Sequence, residues 1–588
     1  MPSTETSSGD LRRKAEQWLA DDPDPATREE LRALLSAGDA AAADLADRFA
    51  GSLEFGTAGL RGVLGAGPNR MNRAVVLRTT HGLAQHLLRT VQGAAERGVV
   101  IGYDGRRLSR ELADDTAHVL AAAGIRAHRF IHAVPTPVTA FAVKQLGAAA
   151  GVMVTASHNP PEYNGYKVYW ENAAQIIPPT DSAIAALIEG APVAREVDCM
   201  DEAEARAQGK LADLGEAIEV QYLDAVRELT VHTAGDRALR IVYTPLHGVG
   251  DALAREALAR AGFTNVTSVP EQQKPDGAFP TVAFPNPEEK GAMDLAFALG
   301  RKLGADLVLA NDPDADRLAV AVPVSGETPS GFVQLTGNQV GVLLGHYLLT
   351  EGAARDMRLV IASVVSSPML GVIARALGVR YEETLTGFKW IANRAMDLER
   401  EGYRFVFGYE EALGYTVGNV VRDKDGISGA VLAAEIAAVL RARGRTLLDE
   451  LEAIARTFGL FVSMQVNVTK KGATGAQEIA ALMDRLRGAS PMRIGDHDVE
   501  SVCDYRAQTR TSKGGAVSPL TLPRSNVLAF ELAGGSRIIA RPSGTEPKVK
   551  FYFDVREAMT PGERIRDTNA RAERTMKALA DAFVKLAG

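Results

Sequence analysis

Residues 99–124, VVIGYDGRRLSRELADDTAHVLAAAG, set the reading of the fold. Val99-Val100-Ile101 is a short β-rich run, a polar loop follows, and an Ala/Leu-rich helix over 108–123 is closed by Gly124. The same order recurs at Leu239-Arg240-Ile241-Val242, with a loop over 244–250 and a helix ending at Ala261-Gly262. It recurs again at Leu359-Val360-Ile361, with a Ser-rich loop and a helix ending at Leu377-Gly378. Another short β-rich run follows each copy. The starts lie 140 and 120 residues apart, too far for a solenoid repeat. Three related α/β domains in series are expected.

The flanks differ. Residues 1–50 read as helices, with Leu31, Leu34, Leu35 and Leu45 set among Ala and charge. After about residue 460 apolar and polar residues alternate (Phe461, Val462, Met464, Val466, Val468), and a Gly/Pro/Ser-rich segment spans 512–526. A strand pair and a charged, Ala-rich helix end the chain, so the last part is expected to be an α+β domain. The resulting boundaries are 1–215, 216–325 and 326–458 for the α/β domains and 459–588 for the fourth.

A chain of 588 residues agrees with that count, at about 150 residues per domain. Apolar residues make up 46 % and charged residues 24 %, the composition of a soluble globular protein. Lys plus Arg number 66 against 73 Asp plus Glu, a net charge of −7, which argues against nucleic acid or an anionic membrane as main partner. Local basic pockets for phosphate stay open. Cys199 and Cys503 are too few for a disulfide framework or a Cys-rich zinc site, so a reducing, cytoplasmic setting is expected. Residues 1–14 lack the apolar core of a signal peptide, and no run approaches the ~18 apolar residues of a membrane span.

Four loops carry candidate chemistry. Thr155-Ala156-Ser157-His158-Asn159-Pro160 follows the apolar run 151–154, so Ser157 falls just past a strand end, where α/β proteins place ligands. The prolines after Asn159 forbid an immediate helix. With His158 beside it and Lys167 further along, Ser157 is a candidate nucleophile; an ordinary Ser/Asn/Pro turn has the same composition. A G-x-S-x-G elbow is absent. Asn311-Asp312-Pro313-Asp314-Ala315-Asp316-Arg317 lies between apolar runs that put it at a sheet edge. Its three carboxylates repel unless a cation neutralises them, and hard oxygens on a short loop suit Mg²⁺. A solvated acidic turn is the alternative, and the EF-hand pattern is absent.

Glu410 and Glu411, within Gly408-Tyr409-Glu410-Glu411-Ala412-Leu413-Gly414, follow a strand-like run and can accept hydrogen bonds from sugar hydroxyls, as a charged surface loop also could. Arg541-Pro542-Ser543-Gly544-Thr545 combines a guanidinium, two hydroxyls and a glycine, the makings of a phosphate nest or of a polar turn. Gly56–Gly62, with Arg61, and Thr386-Gly387-Phe388-Lys389 are further glycine-flanked basic sites. Walker A and complete G-x-G-x-x-G patterns are absent, so nucleotide binding is unsupported.

Taken in this order, the four loops resemble the α-D-phosphohexomutase superfamily, which holds phosphoglucomutase and phosphomannomutase. The resemblance covers roughly 50–555: 155–160 resembles the phosphoserine loop, 312–317 the metal loop, 408–414 the sugar loop and 541–545 the phosphate loop. Stretches 55–62, 163–170, 386–390 and 423–426 look most like the phosphoglucomutase-2 and phosphopentomutase-type branch.

The resemblance implies four domains around a central cleft. It also implies reversible phosphate transfer between C1 and C6 of an α-D-hexose phosphate, through a phosphorylated Ser157 and a sugar 1,6-bisphosphate. Mg²⁺ would be held by Asp312, Asp314, Asp316 and the Ser157 phosphate. Arg61, His158, Lys167 and Arg317 would surround the transferring phosphate, with Lys167 as general base, a role that needs a depressed pKa. Arg541, Ser543, Gly544 and Thr545 would hold the other phosphate; Glu410, Glu411 and Lys389 would meet the sugar.

Two departures stand out. Phe388 falls where some members carry His, leaving Lys389 as the substitute. Ala412 falls where many glucose-active members carry Ser. Glucose 1-phosphate is the expected substrate, with mannose or pentose phosphates as alternatives. A magnesium-dependent sugar phosphatase and a non-catalytic sugar-phosphate sensor are more remote readings. The partner is expected to be a small phosphosugar, and the chain a monomer or dimer.

Overall fold

The computed structural model describes residues 8–587 apart from 56–58, 234, 325, 327, 471–473, 489 and 544–547. The chain divides into two compact units, the first formed by 1–335 with 414–438 and the second by 336–413 with 439–588.

All three sequence repeats form the units expected of them. Strand Val99–Tyr103 leads to helix Ser109–Ala122, Ile241–Thr244 to Asp251–Arg260, and Arg358–Ser363 to Met369–Ala376. The next strands, Ala127–Phe130, Val266–Ser268 and Arg380–Thr384, pair in parallel with the first strand of their own copy. Each copy is therefore a βαβ unit.

In the first unit, helices Ser8–Asp21, Pro25–Ala37 and Ala42–Arg48 pack through Ala15, Leu31 and Leu45. The first sheet follows, in the order Gly59–Val63, Tyr163–Trp170, Ala150–Val154, Val99–Tyr103, Ala127–Phe130, Leu211–Leu214. Val99–Tyr103 and Ala150–Val154 are buried along their whole length, as parallel strands covered on both faces must be. The antiparallel return Tyr163–Trp170 sets Lys167 opposite Met153, next to the end of the strand that leads into Ser157. The second sheet runs Phe332–Gln334, Ala319–Pro323, Leu307–Ala310, Ile241–Thr244, Val266–Ser268. The acidic loop joins Leu307–Ala310 to Ala319–Pro323, so it leaves the end of interior strands and not the sheet edge.

In the second unit, Arg380–Thr384, Arg358–Ser363 and Arg404–Glu410 form a parallel set flanked by helices Gly337–Thr350 and Phe388–Arg400. A largely antiparallel sheet follows, in which Leu460–Thr469 pairs with Lys548–Glu557, and that strand with Arg537–Pro542. The α+β character expected after residue 459 is present. Helix Ile565–Ala587 closes its core, with Phe583 packed against Phe530, Phe551 and Phe553. Among the described residues no helix is long and apolar enough to cross a membrane.

Asp554, on Lys548–Glu557, is 2 % exposed and accepts from the Ser463 hydroxyl at 2.6 Å. Burial pushes its carboxyl up to about 6, against the pull of Arg537. A raised folded pKa means that stability is full below the ordinary value of 3.8 and is lost as pH rises through about 6. Asp554→Asn should therefore gain on the wild type by up to about 3 kcal/mol across that window in urea unfolding, and a gap independent of pH would contradict this account.

Candidate functional site

Ser157 lies three residues past strand Ala150–Val154, in the left-handed region at φ 53°. Its N–H donates to the Thr155 hydroxyl at 2.9 Å. Its Oγ donates to Asp312 Oδ2 at 2.7 Å and stands 3.1 Å from His158 Nδ1. Burial, with Arg317 and Arg61 nearby, drives the His158 pKa well below the ordinary value, so the ring is neutral at pH 7. Arg61 is exposed and donates to Asn159 Oδ1 at 3.1 Å.

The acidic loop is held from every side. Gly248 passes so close that a Cβ there would lie 2.3 Å from Pro313 Cα, a position only glycine tolerates. Asp312, Asp314 and Asp316 are 0–1 % exposed, which excludes a solvated turn. The Thr136 hydroxyl donates to Asp314 Oδ2 at 2.7 Å, and Lys167 Nζ reaches Asp314 at 2.7 Å and Asp316 at 3.0 Å. Lys424 adds a second ammonium 3.1 Å from Asp316, and Arg317 Nε lies 4.0 Å from Asp312.

Burial and the two like charges push Asp312 well above the carboxylate range. Burial acts the same way on Asp314 and Asp316, but Lys167 pulls both below it, helped at Asp316 by Lys424. Lys167 itself is raised, because the two carboxylates outweigh its burial. The depressed pKa that a general base requires is thus not present in this arrangement.

Metal fit can be judged from these carboxylates. One oxygen from each of the three lies within 4.8 Å of the others. Asp314 Oδ1 and Asp316 Oδ1 are buried without a hydrogen-bond partner among the described residues. Buried oxygens left unsatisfied, in a set made only of carboxylates, fit a small hard cation.

The second unit gathers the other candidates. Glu410 accepts from the Gly387 N–H at 2.7 Å, and Glu411 from the Ser363 and Ser366 hydroxyls at 3.2 Å each. The 411–413 turn rests on Gly337, where a Cβ would fall 1.8 Å from the Glu411 carbonyl oxygen. Ala412 is half-buried in that turn. Arg541 hydrogen-bonds Tyr552, whose hydroxyl burial, chiefly, and Glu411 push up to about 12. Ser543 donates its N–H to the Lys548 carbonyl at 2.7 Å. Gly544 and Thr545 lie outside the described residues, as do Gly56, Thr57 and Ala58. Phe388 is a core residue beside Leu359 and Ile391, and Lys389 is buried with its ammonium 5.2 Å from the Trp390 ring centroid.

Sequence reading missed Lys424, Thr136 and Tyr552. Lys424 stood in a stretch quoted only for its resemblance. Thr136 opens a helix and Tyr552 alternates within a strand, so neither carried a motif signal. The Ser-rich loop after 359–361 was visible, and its Ser363 and Ser366 prove to hold Glu411.

A strand-end serine hydroxyl held against a buried carboxylate loop suits phosphoryl transfer assisted by a hard cation. The chain matches the phosphoglucomutase/phosphomannomutase alpha/beta/alpha domains I, II and III over 52–193, 220–326 and 336–458, and the C-terminal domain over 464–572. It therefore belongs to the phosphoglucomutase/phosphomannomutase family, within the α-D-phosphohexomutase superfamily. It is 38 % identical to a Schizosaccharomyces pombe protein named probable phosphoribomutase, across 93 % of this chain and 94 % of that one. Human phosphopentomutase is 36 % identical, across 93 % and 91 %. A solved phosphoglucomutase/phosphomannomutase family protein from Burkholderia thailandensis shares the fold at TM-score 0.62 and 21 % identity, covering 89 % of this chain and 97 % of that one.

Because Asp314 is buried and paired, its replacement is not neutral. Asp314→Asn should lower unfolding free energy in chelator by about 1–3 kcal/mol, with Asp316 still neutralising Lys167. An unchanged urea midpoint would contradict the pairing.

Proposed function

We propose that this enzyme interconverts α-D-glucose 1-phosphate and glucose 6-phosphate, with Ser157 as the phosphoryl carrier and a sugar 1,6-bisphosphate as intermediate and activator. The observation that carries this reading is the Ser157 Oγ held 2.7 Å from Asp312 within the buried aspartate cluster. The proposed domains are 1–215, 216–325, 326–458 and 459–588, and the proposed setting is the cytoplasm, as a monomer or dimer.

In the resting enzyme Ser157 would carry phosphate. The O–P bond at Ser157 breaks as a sugar hydroxyl forms its own bond to phosphorus, giving the bisphosphate. The intermediate turns over, its other phosphate returns to Ser157, and the isomer leaves. Arg61 and Arg317 would stabilise the phosphoryl oxygens, since a loose phosphoryl transition state needs position and charge more than covalent help. His158, neutral beside Oγ, would orient the serine. Lys167 would take and return the proton of the attacking hydroxyl, which requires Asp314 and Asp316 to be otherwise engaged, because burial alone favours the free amine. Mg²⁺ held by Asp312, Asp314, Asp316 and the Ser157 phosphate would supply neutralising charge at the phosphoryl oxygens. In the second unit, Arg541, Ser543, Gly544 and Thr545 would hold the non-reacting phosphate, while Glu410, Glu411 and Lys389 would meet the sugar.

A second reading, ribose 1-phosphate to ribose 5-phosphate, is favoured by relatives named phosphoribomutase and phosphopentomutase at 36–38 % identity. Ala412 supports it too, because an alanine cannot pair a ring hydroxyl, and a site lacking that pairing discriminates less.

Ser157→Ala should lower mutase activity by several orders of magnitude, and mass spectrometry should find phosphate on Ser157 after incubation with sugar bisphosphate; a substantially active Ala variant defeats the assignment. Chelation should abolish turnover and Mg²⁺ restore it. Ala412→Ser should shift relative kcat/KM towards glucose 1-phosphate over mannose and ribose 1-phosphates by about 2- to 12-fold. No shift would mean that position 412 does not read the sugar.

A further inference from the structure

The left-handed conformation of Ser157 is one that a residue with a Cβ adopts only when its surroundings impose it. Arg106, a residue with no role in the mechanism above, is placed to do so. Its Nη2 donates to the Ser157 and Asn159 carbonyls at 2.5 Å each, and its Nη1 to the Pro160 and Tyr163 carbonyls at 2.9 and 3.2 Å. One guanidinium thus takes three carbonyls of the 155–160 loop and that of Tyr163, where the next strand begins.

The group is built in. Its side chain is 1 % exposed, with Asp104 Oδ2 3.2 Å from Nε as counter-charge and the Phe279 ring over the guanidinium at 4.9 Å. Asp104 also works on the far side of Ser157. It accepts from the Thr155 hydroxyl at 2.7 Å, and that hydroxyl accepts the Ser157 N–H at 2.9 Å. Both peptide groups of Ser157 are therefore tied to one ion pair, Arg106 holding the carbonyl and Asp104, through Thr155, the N–H. None of these contacts reaches Oγ or the aspartate cluster.

We propose that Arg106, with Asp104 and Thr155, is a positioning clamp that aims Ser157 Oγ and so sets the rate of phosphoryl transfer into and out of the serine. This rests on the reading of Ser157 as the phosphoryl carrier. Arginine is required because a planar fork reaches several carbonyls at once, whereas an ammonium is a point donor on a flexible stem. A clamp of this kind acts on the chemical step and leaves sugar binding alone.

The test is single-turnover and steady-state kinetics on Arg106→Lys and Thr155→Val, using glucose 1,6-bisphosphate to load the serine and glucose 1-phosphate to unload it. Arg106→Lys should lower kcat and both half-reactions by about 30- to 100-fold, with KM within about threefold of wild type. Thr155→Val, which loses one hydroxyl at constant shape, should show the same pattern at about tenfold and decides the matter if the lysine variant does not fold. In Arg106→Gly, millimolar guanidinium but not sodium should restore part of the lost kcat. Folded variants that keep wild-type kcat, or whose loss lies in KM, overturn the clamp, as does failure of guanidinium to restore rate. Wild-type enzyme that neither loads Ser157 nor isomerises would instead overturn the underlying reading.

Discussion

Three acidic side chains almost sealed from water, each with an oxygen within 4.8 Å of the others, stand only where a proton or positive charge neutralises them. That constraint organises the first unit. Lys167 comes from an antiparallel strand of the first sheet, Thr136 from the start of a helix beside that sheet, and Lys424 from the loop before helix Gly426–Ala442. Each meets the loop between Leu307–Ala310 and Ala319–Pro323, so segments more than 100 residues apart converge on one charge cluster. Ser157 donates into that cluster, which makes its hydroxyl part of the neutralising shell. A metal ion entering there would replace ammonium charge already in place, and Asp314 Oδ1 and Asp316 Oδ1 supply unused oxygen ligands.

In the second unit a buried arginine does similar work: Arg537 lies 2.9 Å from Glu383 and 3.5 Å from Asp554. Glu411 is fixed by Ser363 and Ser366, and the Ser366 carbonyl accepts from Arg537 at 2.7 Å. Arg537 sits on the strand that ends in Arg541 and Pro542, so the 410–411 turn and that strand share one connection. Tyr552 completes it, buried against Ile539 and hydrogen-bonded to Arg541.

Much of this was legible in the sequence. The three βαβ units could be read because apolar run, polar loop, helix and terminal glycine are local signals, and each strand pairs in parallel with the next one of its own copy. Ser157 and the three aspartates could be read as candidates because each of their two loops directly follows an apolar strand run. Burial could not. The sequence placed 311–317 at a sheet edge, whereas the loop leaves interior strands, because sheet order depends on pairings between distant segments. For the same reason Lys167 was legible as a candidate but not as an ion-pair partner: its pKa is set by carboxylates some 150 residues away, which raise it against burial. Thr136 and Tyr552 act through tertiary contact alone and leave no trace in composition or spacing.

The central claim is that Ser157 carries phosphate from one sugar position to another. The most direct measurement loads the enzyme with ³²P from labelled glucose 1,6-bisphosphate, removes the excess, and chases with unlabelled glucose 1-phosphate and Mg²⁺. The account predicts that label leaves the protein within a single turnover and appears in glucose bisphosphate and glucose 6-phosphate. Label released as inorganic phosphate, or retained on the protein through many turnovers, would contradict it.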